Sequence, residues 1–223
     1  MKDLLSVVIP AYNAEKYISE AIASVKDQVW NGPVEMIVTD DGSSDRTTEI
    51  AEKAGCIVIR QDHGGAAAAR NAGIKASKGE WILLLDADDV FSEGALEALS
   101  LPFEKDPELK AVFGKAEDFI SPELSPLQAA ELKVREGSYD GILPGCSLIH
   151  RTVFEQVGLF DSSLSSAETV DWMMKLKDNR IKTQRIDTVT LRRRLHLSNT
   201  GRIQAHSEMK NYAALLRKRL KGR

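Results

Sequence analysis

Apolar and polar positions along the first hundred residues follow two alternating rhythms. Residues 4–9 are a short apolar run closed by Pro10, which reads as a strand; residues 14–28 then place Tyr17, Ile18, Ala21, Ile22 and Val25 at helical spacing. The pair recurs. Residues 34–39 predict a second buried strand, Ser43 to Asp45 supply N-cap chemistry for a helix reaching about Ala54, and residues 56–59 predict a third strand. An alanine-rich helix over residues 66–77 precedes the uninterrupted apolar run 81–85, which fits a central strand. Strands alternating with helices predict an α/β fold, a mostly parallel central sheet with helices on both faces. Ligands of such a sheet bind beyond the carboxyl ends of its strands.

After about Leu101 the rhythm weakens, because Pro102, Pro107, Pro122, Pro126 and Pro144 punctuate short elements. A strand at residues 111–113, helices near 124–135 and 170–179, one or two strands over 183–194 and a terminal helix over 204–220 stand out. No internal repeat is visible.

A chain of 223 residues with 43% hydrophobic positions can bury one substantial core, and one domain is expected. No apolar run approaches the roughly 20 residues that span a bilayer, and the start carries no signal-peptide pattern, so a cytoplasmic protein is expected. Cys56 and Cys146 fit no metal spacing and read as buried free thiols. The net charge of −3 hides an asymmetry: from Thr190 onward ten basic residues face one acidic residue. That end reads either as a solvated helix face or as a surface for an anionic partner, a diphosphate at residues 192–196 or a membrane at 210–223.

Three polar clusters fall just beyond strand ends: Pro10-Ala11-Tyr12-Asn13, Asp40-Asp41-Gly42-Ser43-Ser44-Asp45 and Asp86-Ala87-Asp88-Asp89. Each alone is an ordinary turn with helix-capping residues. Together they bring several carboxylates to one sheet edge, and that repulsion calls for a cation. An Asp-x-Asp offers hard oxygen ligands to Mg²⁺ or Mn²⁺, ions usually held by one or two carboxylates plus substrate phosphates. The implied ligand is a nucleoside diphosphate ester, with Asp40 placed to accept from a base N–H and Tyr12 offering a ring face. Neither a G-x-G-x-x-G after the first strand nor a P-loop is present, which removes the main support for dinucleotide and P-loop chemistry.

These clusters, with Ala69-Arg70-Asn71-Ala72-Gly73, resemble in order and spacing the signature motifs of family 2 glycosyltransferases. The resemblance covers roughly the first 100 residues and implies a GT-A fold. It divides one domain, 1–223, into a nucleotide-sugar-binding half (1–100), an acceptor half (101–200) and a basic C-terminal helix or tail (201–223). Carried over residue by residue, it implies that Pro10, Ala11, Tyr12 and Asn13 line the nucleoside pocket. Asp40, beside Asp41, would read the base and Arg70 would help hold it. Asp86 and Ala87 would lie near the ribose, and Asp88 would ligate Mn²⁺ or Mg²⁺. Residues 192–196 resemble the family's basic segment ending in histidine, which implies a diphosphate contact for Arg194 and a metal contact for His196.

The second half resembles the family more loosely, through residues 141–150 and Val157-Gly158-Leu159-Phe160-Asp161 on the acceptor side. The family's general base lies in an acidic pair that here reads Glu168-Thr169-Val170-Asp171-Trp172. Thr169 stands where the usual Asp would fall, so Glu168 or Asp171 must serve. The resemblance implies inverting hexosyl transfer from a UDP-sugar to a carbohydrate or lipid-linked acceptor, as in cell-envelope polysaccharide biosynthesis. No nucleic acid is involved, and peripheral contact with the inner membrane face would run through the basic C-terminus. Two alternatives stay open. Thr169 and the short acceptor half would also suit a catalytically silent nucleotide-sugar-binding module. A sugar-phosphate nucleotidyltransferase would need a Gly-rich basic loop where Pro10-Ala11-Tyr12-Asn13 stands.

Overall fold

The computed structural model describes residues 2–140, 144–164 and 167–199. The terminal helix expected over 204–220, the basic tail and residues 141–143 of the acceptor-side segment lie outside them. The first half alternates as the pattern predicts: β1 (Leu5–Ala11), α1 (Ile18–Lys26), β2 (Val34–Asp40), α2 (Thr47–Lys53), β3 (Ile57–Arg60), α3 (Ala66–Ala76) and β4 (Trp81–Leu84). The second half contains β5 (Val90–Phe91), α4 (Ala95–Lys105), β6 (Ala111–Ile120), α5 (Pro126–Ala130) and β7 (Ser138–Asp140). It continues with β8 (Ser147–His150), α6 (Thr152–Val157), α7 (Glu168–Asp178) and β9 (Thr183–Leu195).

The nine strands of the described residues join one sheet in the order β3-β2-β1-β4-β8-β6-β9-β5, with β7 paired to β6. The β3-β2-β1-β4 block is wholly parallel. Antiparallel β8 joins β4 to β6, and β9 runs parallel to β6. Strands β1 to β4, β6 and β9 therefore point one way, which brings the ends of β1, β2, β4 and β9 to the same edge.

Alternation along β1 sorts the core into two layers. Leu5, Val7 and Ile9 pack with Ile18 and Ile22 of α1, Ala51 of α2 and Leu96 and Leu99 of α4. Val8 faces the other way, toward Ala67 and Ile74 of α3, Val153 of α6 and Trp172 and Leu176 of α7. Helix α3 lies close to the sheet: a Cβ on Gly73 would come within 2.3 Å of Val8 Cγ1 and 2.9 Å of Thr39 Oγ1.

Three expectations need correction. The helix near 124–135 shrinks to the five residues of α5, started by a capping box between Ser125 and Gln128 and leaving Leu127 on the surface. The strand at 111–113 continues to Ile120, because its polar second half is matched across β9: Lys115 with Asp187 at 2.9 Å and Glu117 with Arg192 at 3.3 Å. Helix α4 was hidden by Pro102, which sits inside it; burial of Leu96, Leu99 and Phe103 outweighs the one backbone bond that proline removes.

Candidate active site

The cleft is assembled from turns at the shared strand edge. Ala11 and Asp40 are register partners at the ends of β1 and β2, so the two turns that follow leave the sheet side by side. They bond to each other. Asn13 N donates to Ser43 Oγ (2.9 Å), Ser44 N to Asn13 Oδ1 (2.9 Å), Ala14 N to Thr47 Oγ1 (2.8 Å) and Glu15 N to Asp45 Oδ2 (3.0 Å). Burial alone would raise the Asp45 carboxyl; hydrogen bonds from Thr47 and from the amides of Glu15 and Thr47 hold it below its ordinary range. Asn13 thus serves the frame, in the left-handed backbone conformation that asparagine tolerates (φ 48°). Pro10 and Ala11 lie in the buried end of β1, and Tyr12 and Asn13 are exposed.

The two aspartates at the end of β2 divide their work. Asp40 is buried and accepts from Ser43 N at 3.2 Å. Asp41, only 2% exposed, turns to the loop that enters α3. It accepts from Gly64 N and Gly65 N, each at 2.8 Å, and from Gln61 Nε2 at 2.7 Å. That carboxylate sets the start of α3, and α3 carries Arg70.

Arg70 joins the two halves of the cleft. It is 5% exposed; Nη2 donates to Asp86 Oδ1 at 2.7 Å and Nη1 to Glu168 Oε1 at 3.2 Å. Burial works against its charge, and the two carboxylates more than restore it, so its pKa lies above the ordinary arginine value. Next to it Asn71 pairs with the backbone of Phe160 in both directions, accepting at 3.0 Å and donating at 2.8 Å. Phe160, Phe154 and Trp172 form an aromatic cluster under the start of α7, and Trp172 Nε1 donates to Gly158 O at 2.9 Å. One turn of α3 therefore fixes the position of Glu168. Asp171, one turn into α7, is buried and ion-paired with Lys175 at 2.8 Å.

At the end of β4 the Asp86 to Asp89 turn closes with Asp89 N donating to Asp86 O at 3.0 Å, and Ala87 packs into the core. Asp88 Oδ2 lies 3.0 Å from His196 Nε2 and 3.3 Å from Asn199 Nδ2. His196 is buried, its Nδ1 lies 2.9 Å from Ser198 Oγ, and its ring stacks on Tyr17 at 4.7 Å. Arg194 is 2% exposed and belongs to the wall behind this turn. Its Nε donates to Asp88 O at 2.8 Å, its amide to Asp89 Oδ1 at 2.8 Å, and its guanidinium covers the rings of Phe119 and Tyr17. Burial, with Asp88 and Asp86 adjacent, pushes the Asp89 carboxyl well above its ordinary value.

Among the described residues no three His, Cys, Asp or Glu side chains converge as a group that could hold a metal ion. The convergent protein donors are two, a carboxylate oxygen of Asp88 and the imidazole of His196. Such a pair suits a divalent ion that completes its shell with phosphate oxygens and water. Cys146 lies near this turn and is fully buried; burial pushes its thiol up to about 12.

Asn71, Tyr17 and Asn199 are not among the site residues that the sequence pointed to. Asn71 stood inside a quoted motif, and its partner lies 89 positions away. Asn199 reaches back 111 positions to Asp88, with no local signal.

A profile described as Glycosyl transferase family 2 matches residues 6–158. Glycosyltransferase GlyG of Streptococcus pneumoniae serotype 4 is 31% identical over 185 residues, which is 70% of this chain and 60% of GlyG. An uncharacterized glycosyltransferase of Haemophilus influenzae is 27% identical over 183 residues, 78% of this chain and 62% of that protein. The chain spans about 60% of the length of these relatives. Among solved structures, residues 1–349 of S. aureus TarS in complex with UDP superpose with a TM-score of 0.70 at 24% identity, covering 87% of this chain and 61% of that one. Glucosyl-3-phosphoglycerate synthase from Mycobacterium tuberculosis, solved with Mn²⁺, UDP and phosphoglyceric acid, gives 0.67 at 20% identity, covering 96% and 78%. At these identities the likeness is one of fold, and the fold is GT-A.

Proposed function

Because the chain belongs to glycosyl transferase family 2, we propose that it moves a sugar from a UDP-sugar to an acceptor hydroxyl with inversion, and that Glu168 is the general base. The observation that carries this reading is the Arg70 bridge. One buried guanidinium holds Asp86, on the turn assigned to the donor, and Glu168, on the helix assigned to the acceptor. One buried group thus ties the carboxylate assigned to the donor's ribose to the carboxylate assigned as base.

In this mechanism the Glu168 carboxylate takes the acceptor hydroxyl's proton while that oxygen bonds to the anomeric carbon from the face opposite the diphosphate. The carbon–oxygen bond to the diphosphate breaks, and the nucleoside diphosphate leaves with the electron pair. Asp88 and His196 would hold Mn²⁺ or Mg²⁺, which when bound supplies positive charge to the diphosphate. Tyr12 and Asp40 hold the nucleobase, and Arg194 keeps the Asp88 turn in place from behind. Asp171 ranks second as base because its side chain pairs along its own helix with Lys175, whereas Glu168 is held beside Asp86 by Arg70.

Transfer from UDP-sugars to carbohydrate and lipid-linked acceptors in the presence of Mn²⁺, with donor hydrolysis as a second readout, tests this reading. UDP-sugar binding with neither transfer nor hydrolysis would favour a nucleotide-sugar-binding module, the reading that Thr169 favours. Among the described residues no helix is long and apolar enough to cross a membrane, and membrane contact is assigned to the basic C-terminus.

A further inference from the structure

Tyr12 and His63 form an aromatic pair at the rim of the cleft. Their ring centroids lie 4.3 Å apart with the planes at 36°, and both are open to solvent, Tyr12 at 51% and the His63 side chain at 60%. His63 is nevertheless tightly held. Its Nδ1 lies 2.9 Å from Oδ2 of the buried Asp41 and 3.1 Å from the Asp41 carbonyl oxygen. Both neighbours are acceptors, which assigns a proton to Nδ1. The loop beneath is fixed as well, since the same carboxylate accepts from Gly64 N and Gly65 N. Gly42 lets this loop approach: its φ is +84°, and a Cβ there would stand 3.3 Å from His63 N. Tyr12 directly follows Ala11, the register partner of Asp40. The ring pair thus stands beside the carboxylate assigned to the nucleobase.

We propose that His63 is a positioning residue of the nucleobase subsite: its ring, tied to Asp41, backs the Tyr12 ring and holds it as the platform on which the donor's base stacks. This rests on the donor reading above. A tyrosine on an unsupported turn loses rotamer freedom when a base stacks on it, and a ring already packed against a tethered histidine has less to lose. Stacking tolerates any base because every base has a π face. The platform therefore governs how tightly a nucleotide is held, and Asp40 governs which one.

Calorimetric titration of the purified chain with UDP, and separately with inorganic pyrophosphate, both in Mn²⁺, tests the proposal. Pyrophosphate presents a diphosphate without a base. His63→Ala is expected to weaken UDP about 10-fold, within the range of losing an aromatic stacking contact, and to leave pyrophosphate unchanged. His63→Phe, which keeps a ring but not the Asp41 tie, is expected to recover part of the loss. Unchanged or tighter UDP binding by His63→Ala overturns the proposal, as does an equal loss of pyrophosphate or a Phe variant no better than Ala. A wild-type chain that binds pyrophosphate but no nucleoside diphosphate would remove the donor reading itself, and this proposal with it.

Discussion

Arg70 Nη1 stands 3.2 Å from Glu168 Oε1, a contact between α3 and α7 across 98 positions of sequence. It holds the carboxylate at the first residue of α7 toward the cleft, where Asp171 is turned into its own pair with Lys175. Glu168→Gln keeps the shape and removes the base. The transfer rate should fall about 10²-fold or more, the scale of losing general-base catalysis, while the dissociation constant for UDP changes little. Asp171→Asn should cost less. Steady-state rates of both variants decide the assignment: the reverse order moves the base to Asp171, and two full-rate variants exclude both.

Asp88 lies on a turn at the cleft, with His196 and Asn199 converging on one of its oxygens. Asp88→Ala is expected to abolish Mn²⁺-dependent UDP binding and leave the circular dichroism spectrum unchanged. UDP titrations with Mn²⁺ and with a chelator read this directly. An unchanged Mn²⁺ requirement would withdraw Asp88 from the metal.

Asp41 predicts a loss of stability. Its buried carboxylate satisfies two backbone amides and the Gln61 side chain, and an alanine leaves those donors without it. The expected cost is about 2–3 kcal/mol in urea unfolding. Asp41→Asn, which keeps one carbonyl oxygen as acceptor, should lose less. Equal stability of Asp41→Ala and wild type would show that the loop into α3 holds without this residue.

Glu123 and Tyr17 predict a pH dependence. Burial alone would raise Glu123, but hydrogen bonds from Ser121 and Tyr17, with Arg194 nearby, bring it from 4.5 down to about 2. A carboxylate lowered by folding stabilises the native state above its unfolded pKa, and that contribution disappears as pH falls from about 4.5 toward about 2. Glu123 is solvent-exposed, so the effect is modest. Glu123→Gln should show a shallower loss of thermal stability across that window. Identical acid profiles would mean that the link between Tyr17 and the loop after β6 is not thermodynamically felt.

What could be read from residues alone was whatever is encoded locally. The short apolar runs of β1 and β2, the helical spacing of Ile18, Ile22 and Val25, and polar clusters directly after apolar strands are short-range patterns, and each fell where expected. The family motifs are local in the same sense. Tertiary structure decided how those pieces serve one another. Asn13 and Asp45 read as site and cap residues, yet their side chains mainly knit two turns together, because β1 and β2 end in register. Arg194 read as a diphosphate contact and lies in the wall, because β9 delivers it behind the Asp88 turn. The second half of β6 was invisible because charged residues look like loop until a strand some 75 positions later supplies the opposite charges. A chain announces its own hydrophobic period, whereas the partner of a polar group is chosen only when folding closes the long loops between them.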